Sequence, residues 1–323
     1  MPAIQRAQGY PSFKDKGLIE TKFSPLLDKN LYARTYLARC TSSKYIGQIK
    51  KKGDKIVIAR EPLIQTEPLV KGQPYDIKTT LEEPFEMVVN RGRRWSQYYD
   101  EDDLARSHVP GLNAATLNAA ANALARDIEL EAIPELISYA PEYNRAAEAT
   151  GLGAGKVSGK YTLGSATKPV ALTISNIVQY LMQFTSVLDE TDVQNESGQR
   201  SILIPAIVAH YLKSSEKLLD ASKIGGASSL KTQYLTSLAG IGNIYISNLL
   251  PKGSNGSFPI LCMTKEAVNF VIATQKTRVI ENMERYDGVL LRGKAIYDWG
   301  LARPEGIAVG YVTPSESSIS LVA

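Results

Sequence analysis

The side chains able to do chemistry are few and scattered. Histidine occurs twice, at His108 and His210, and cysteine twice, at Cys40 and Cys262. A Ser-His-Asp or Cys-His centre needs a base oriented by a third group, and neither histidine has such neighbours in sequence. His108 lies in a loop-like passage before Pro110, and His210 sits between Ala209 and Tyr211 in a predicted helix. Residues this scattered also make a poor transition-metal site. Asp100-Glu101-Asp102-Asp103 places four carboxylates in a row, but a metal needs ligands that converge, which adjacent side chains do not. Acidic residues ahead of a helix complement its dipole instead. The expectation is an absence of catalytic, cofactor-binding and metal sites, and no enzyme activity.

Two further stretches invite a chemical reading. Gly151 to Lys160 is glycine-rich, but a phosphate loop requires Gly, four residues, then Gly-Lys-Ser/Thr. Here Val157 follows Lys156, and no apolar strand immediately precedes the glycines. It reads as a linker. Basic residues cluster at Lys50, Lys51, Lys52 and Lys55, and again at Arg91, Arg93 and Arg94 beside Trp95. Such clusters can meet phosphates or acidic patches on a neighbouring copy, such as Asp100 to Asp103. The second is preferred, because the segment around them needs a partner.

That need comes from the elements. Residues 1 to about 23 are polar and interrupted by Gly9, Pro11 and Gly17, as in an extended arm. Ser24-Pro25 caps a helix expected to end near Cys40. Tyr45–Ile49 and Lys55–Ala59 flank a Lys-Gly-Asp-Lys turn, a hairpin signal, and strand-like stretches return at Tyr75–Thr80 and Phe85–Val89. The Pro-rich passage Glu61 to Pro74 between them is too polar to fold alone, and an isolated two-stranded ribbon is marginal in water. A long helix is predicted from about Leu112 to Ile133 or a little beyond, with Leu117, Leu124, Ile128 and Ala132 on its buried stripe and Pro134 kinking or ending it.

Past the glycine-rich linker, Ile177, Tyr180, Leu181, Phe184, Val187 and Leu188 form the clearest amphipathic stripe, with Ser175 as its cap. A second helix follows from Pro205 to Lys213, carrying Ile207, Val208 and Tyr211. Short apolar strands are predicted at Ile202–Ile204, Ile244–Ile246 and Pro259–Met263. The C-terminal part reads as strands at Arg278–Met283, Val289–Leu291, Lys294–Trp299 and Ile307–Val312, separated by turn signals at Asp287-Gly288, Gly293 and Pro304-Glu305-Gly306.

Composition bounds the class. The chain has 323 residues, 44% hydrophobic and 22% charged, enough for about two domains with cores of their own. The formal charge of +4 reflects 37 basic against 33 acidic residues, so no global field calls for a polyanion. Two widely separated cysteines suit a reducing compartment. No apolar run approaches the roughly 20 residues that cross a bilayer, and Met1 to Tyr10 lacks the apolar core of a secretory signal.

The order of these parts resembles a major capsid protein of a tailed bacteriophage, whose fold is shared with encapsulins and the herpesvirus shell floor. Ile46 to Ile58 resembles the strand-turn-strand leading into that family's extended loop, Glu86 to Asn90 its returning strand, and Asp100 to Leu104 the lead-in to its spine helix. Gln194 to Pro205, with Arg200 before an apolar strand, resembles the family's Asn-x-Pro…Arg-x-x-Val-x-x-Pro passage. Gly240 to Pro251 resembles the glycine-bearing loop and strand that end in Ser-Asn-x-Leu-Pro. The resemblance departs at Gln194, where no proline stands, so a local change of turn is expected.

The fold implied is α+β, with an N-terminal arm and short helix (1–44) and an extended two-stranded loop (45–90). A peripheral domain with a spine helix (91–140, completed by 278–300) and a mixed α/β axial domain (141–277, completed by 301–323) follow. The function implied is a structural shell subunit forming hexamers and pentamers around phage double-stranded DNA, located in the virion and assembled in the host cytoplasm. Its implied partners are itself, a separate scaffolding protein, a portal, a decoration or cement protein, and DNA contacted non-specifically, with no membrane. The stretch Val187 to Pro251, free of catalytic motifs, would set its loops around the five-fold and six-fold axes. An encapsulin-like bacterial compartment and a soluble α/β enzyme are the alternatives.

Overall fold

The computed structural model describes residues 36–42, 44–45, 53–59, 84–100, 112–145, 161–191, 200–215, 240–253, 255–281 and 288–315. In chain order these form helix α1 (Tyr36–Cys40), strands β1 (Lys55–Ala59), β2 (Pro84–Val88) and β3 (Arg91–Asp100), and the long helix α2 (Leu112–Tyr139). Strand β4 (Val170–Leu172), helix α3 (Ile177–Glu190), strand β5 (Arg200–Ile204), helix α4 (Ala206–Ser214) and strand β6 (Asn243–Ile246) follow. Strands β7 (Phe258–Thr264), β8 (Val268–Glu281), β9 (Gly288–Leu301) and β10 (Ile307–Pro314) complete the chain.

A five-stranded mixed sheet runs in the order β4-β10-β7-β5-β6, with β4 parallel to β10 and β5 parallel to β6. Its central strands are mostly apolar, with both alternating sets of side chains buried. Ile202, Ile204, Ile260, Cys262, Ala308 and Val312 turn toward α3 and α4. The alternate residues Leu203, Leu261, Met263, Ile307 and Val309 join a second core with α1 and α2. Side-chain alternation in a strand thus divides one run of hydrophobics between two cores. The predicted stripe of α3 is buried in full, from Ile177 to Leu188. The residue at its N-cap position is Asn176 and not Ser175; its side chain makes no capping bond to the helix but ties the preceding turn, accepting the Thr173 N–H at 2.8 Å and donating to the Ala171 carbonyl at 3.0 Å. Pro205 precedes the first turn of α4, where Val208 and Tyr211 are buried but Ile207 is 37% exposed.

The second sheet is antiparallel, β3-β9-β8, with α2 against one face. Helix α2 spans 28 residues, about 42 Å at 1.5 Å per residue. The stripe Leu117, Leu124, Ile128 and Ala132 is buried as predicted, joined by Ala121, Ala125, Ile133 and Leu136. Alanines at these positions let the helix axis approach the sheet closely. The expected break at Pro134 does not occur, and the helix continues to Tyr139. Proline removes the N–H that would bond the carbonyl of Leu130. Both residues lie on the exposed side, so water can take up that carbonyl.

Two other expectations change. Gly293 does not interrupt a strand: β9 runs unbroken through it. A Cβ at Gly293 would stand 2.5 Å from Trp95 Nε1, so the glycine lets the indole of β3 lie flat across its partner strand. Arg91–Asp100 is itself a strand, which no periodicity announced. Helix α2 as described starts at Leu112 with no acidic residue in its first turn, and Asp100 ends β3. Asp100 thus belongs to a strand and not to the first turn of a helix, while Glu101, Asp102 and Asp103 lie outside the described residues. Strand β8 begins at Val268, ten residues ahead of the strand predicted from Arg278.

Candidate interaction surfaces

Among the described residues, those first singled out for chemistry form no catalytic or metal-binding cluster. His108 and the glycine-rich segment 151–160 lie outside the described residues, and His210 is exposed on α4 beside Tyr211. Cys40 and Cys262 are buried and unpaired as disulfides. Burial pushes both thiols up to about 12, with hydrogen bonds from Ser201, Tyr36 and Tyr245 offsetting part of the rise at Cys40. At neutral pH they stay as thiols, the unreactive form. Among the described residues no three His, Cys, Asp or Glu side chains gather as metal ligands.

What the polar residues do is lock elements together. On the face of the β3-β9-β8 sheet that meets α2, Arg91 donates through Nη2 to both oxygens of Glu135 at 2.8 Å, and its Nε lies 3.3 Å from Asp298. The guanidinium also covers the Trp299 ring, 3.9 Å from its centroid. Trp299 donates its indole N–H to Glu135 at 2.9 Å, and Tyr297 donates its hydroxyl to Glu131 at 2.9 Å. Arg93 pairs with Glu131 and with Asp127. Asp127, Glu131 and Glu135 recur every four residues along one side of α2. Arg91 and Arg93 recur every second residue along one face of β3. Two periodicities of similar rise, about 6 Å on the helix and 7 Å on the strand, meet as a charge ladder. The expectation that Arg91 and Arg93 seek acids on a neighbouring copy is corrected here: α2 of the same chain supplies them. Carboxylates four apart on the helix, matched to arginines two apart in a polar strand, were the available signal.

Among the described residues, the opposite face of this sheet is covered over only part of its length. Strands β1 and β2 pair antiparallel, Lys55 opposite Val88 through Ala59 opposite Pro84. The ribbon base, Ile56, Met87 and Val89, packs on Val271 with Phe85 and Ile296 alongside. Asn90 N–H donates to Asp298 at 2.9 Å and fixes the turn into β3. The ribbon that lacked a partner in sequence thus finds one for its base within the chain. The pairing expected between 45–49 and Lys55–Ala59 falls mostly outside the described residues, as do Lys50, Lys51 and Lys52. Lys55 meets Glu86 across the ribbon at 3.3 Å. Beyond the ribbon base lies an open groove of about 720 Å³ lined by Arg94, Ser96, Arg278, Leu290, Arg292 and Lys294.

In the five-stranded sheet, Arg200 opens β5 with its side chain 1% exposed. Its Nη1 donates to Asp189 at 2.7 Å and to the Thr185 carbonyl at 3.2 Å, while its own carbonyl accepts Gly242 N–H at 2.9 Å. One residue thereby ties the end of α3, β5 and the start of β6 into one edge. That edge borders residues 192–199 and 216–239, which lie outside the described set.

No protein-family model matches the chain, and no curated protein matches it in sequence. Solved structures do. The fold is that of tailed-phage major capsid structures, matched over 85–88% of the chain in the three that follow. A structure from Mycobacterium phage Che8 is 18% identical, with a TM-score of 0.61 over 85% of this chain and 90% of that one. The capsid of Cyanophage P-SCSP1u gives 16% identity and a TM-score of 0.59 over 85% and 86%. The mature capsid of bacteriophage PhiM1 gives 13% and 0.57 over 88% of each chain. The expected α+β capsid fold is what the structure has.

Proposed function

We propose that the chain is a structural shell subunit that self-assembles into hexamers and pentamers of an icosahedral capsid around double-stranded phage DNA. The observation that carries this reading is the fold, shared over most of its length with chains solved in capsids. The physical argument agrees. A two-stranded ribbon, a helix of 28 residues, and sheets with edge strands are liabilities in a monomer. In a closed symmetric lattice copies of the same chain cover them. The buried thiols and the charge ladder are spent on holding elements in place.

In this reading residues 45–90 form the extended loop, 91–140 with 278–300 the peripheral domain, and 141–277 with 301–323 the axial domain, whose Arg200-tied edge faces the five-fold and six-fold axes. Scaffolding, portal and decoration proteins would join during assembly in the host cytoplasm, and the product would be the virion shell. The test is sedimentation velocity of the chain expressed alone and with a candidate scaffolding protein. Rings or shells are expected. A stable monomer of about 35 kDa under every condition would overturn the reading.

A further inference from the structure

The groove on the face of the β3-β9-β8 sheet away from α2, left uncovered by the other described residues, carries a row of like charges. Arg94 stands directly opposite Lys294, and Arg278 directly opposite Arg292, in register. Like charges placed opposite one another destabilise an antiparallel pair. Arg94, Arg278, Arg292 and Lys294 are all exposed. None forms an ion pair with a carboxylate among the described residues.

The other face of the same sheet shows how such a row is satisfied. There Arg91 and Arg93 meet Asp127, Glu131 and Glu135 of α2. The groove repeats the arginine row without the acidic element. The sequence contains one dense carboxylate run, Asp100-Glu101-Asp102-Asp103, whose first residue is the last of β3. A second copy can present it.

We propose that this cationic face is a contact between copies of the chain, receiving the Asp100–Asp103 run of a second copy. The proposal rests on the self-assembly reading above and names one surface through which it happens. Arginine suits the role, because its planar fork engages carboxylates two at a time. Copies that meet through charge are steered into register and are sensitive to salt.

The experiment is a charge swap followed by sedimentation. Three chains are compared with wild type: one carrying Arg278→Glu, Arg292→Glu and Lys294→Glu; one carrying Glu101→Lys, Asp102→Lys and Asp103→Lys; and one carrying all six. Circular dichroism establishes that each is folded. Each triple variant is expected to need about tenfold more protein, or more, for half-assembly, and the six-fold variant to return toward wild type.

If wild type assembles and the triple variants assemble equally well, the proposal fails while the self-assembly reading stands. If wild type itself never assembles, that reading fails first. If both triple variants are impaired but the six-fold variant does not recover, the two segments do not face each other and the proposal fails. Titration with a short DNA duplex covers the other polyanion. If wild type binds it, and the cationic triple variant loses that binding while assembling normally, the groove takes phosphates and the proposal is overturned.

Discussion

Replacing Glu135 by alanine probes the lock between the spine helix and its sheet. Glu135 accepts the indole N–H of Trp299, which is 4% exposed, and the fork of Arg91. Losing the acceptor leaves a buried N–H unpaired, at about 1–3 kcal/mol. The ion pair contributes less, because Arg91 and Glu135 are 33% and 36% exposed and water screens them; about 0.5 kcal/mol is a fair share. Arg91 keeps Asp298 as a partner. Glu135→Ala is thus expected to cost about 2–4 kcal/mol once the lost packing is added. Glu135→Gln keeps an acceptor for Trp299 and should cost under about 1 kcal/mol. The assay is denaturant unfolding of unassembled chain followed by tryptophan fluorescence. The chain has two tryptophans, both in this sheet, so the signal reports the locked region. A loss below about 0.5 kcal/mol for the alanine variant would refute the lock. Equal losses for alanine and glutamine would show that charge, and not the Trp299 bond, carries it.

Three further outcomes are expected. Burial raises Glu129 above the usual carboxylate range, partly offset by the Tyr36 N–H that donates to it at 2.6 Å. A folded pKa above the unfolded one means a contribution fully present below the unfolded pKa and lost as pH rises through the folded pKa. Glu129→Gln should therefore be more stable than wild type at about pH 8, with the gain vanishing near about pH 3; a gain that does not change with pH would contradict this. Gly293→Ala drives a methyl into the Trp95 indole and should cost about 1–3 kcal/mol, with a shift in tryptophan emission; wild-type stability would refute the close approach. Deleting residues 61–74 should leave far-ultraviolet circular dichroism unchanged while abolishing shell closure, and loss of the fold itself would place that segment in the core.

The parts of the fold that could be read from sequence are those where burial is apolar and periodic. Ile177 to Leu188 announced α3, and the runs at Ile202, Ile244 and Pro259 announced three strands of the mixed sheet. Strand β3 was hidden because its helix-facing positions are Arg91, Arg93 and Trp95, so the inward alternation reads as polar. Gly293 and Pro134 misled for one reason: each is a local breaker whose cost is removed by tertiary context, a packed indole in one case and a solvated carbonyl in the other. The candidate surfaces were legible only in part. The basic cluster at Arg91, Arg93 and Arg94 was visible, but strand alternation splits it. Arg91 and Arg93 turn to α2 and Arg94 to the groove, where Arg278, Arg292 and Lys294 arrive from distant sequence.

The central claim is that copies of this chain close into a capsid. Electron microscopy of particles purified after expression with a scaffolding protein tests it most directly. The account predicts closed icosahedral shells built of five- and six-membered rings of the chain, with the β1–β2 ribbon reaching a neighbouring copy. Particles that never close, or a chain that remains a monomer at every concentration and salt, would contradict it.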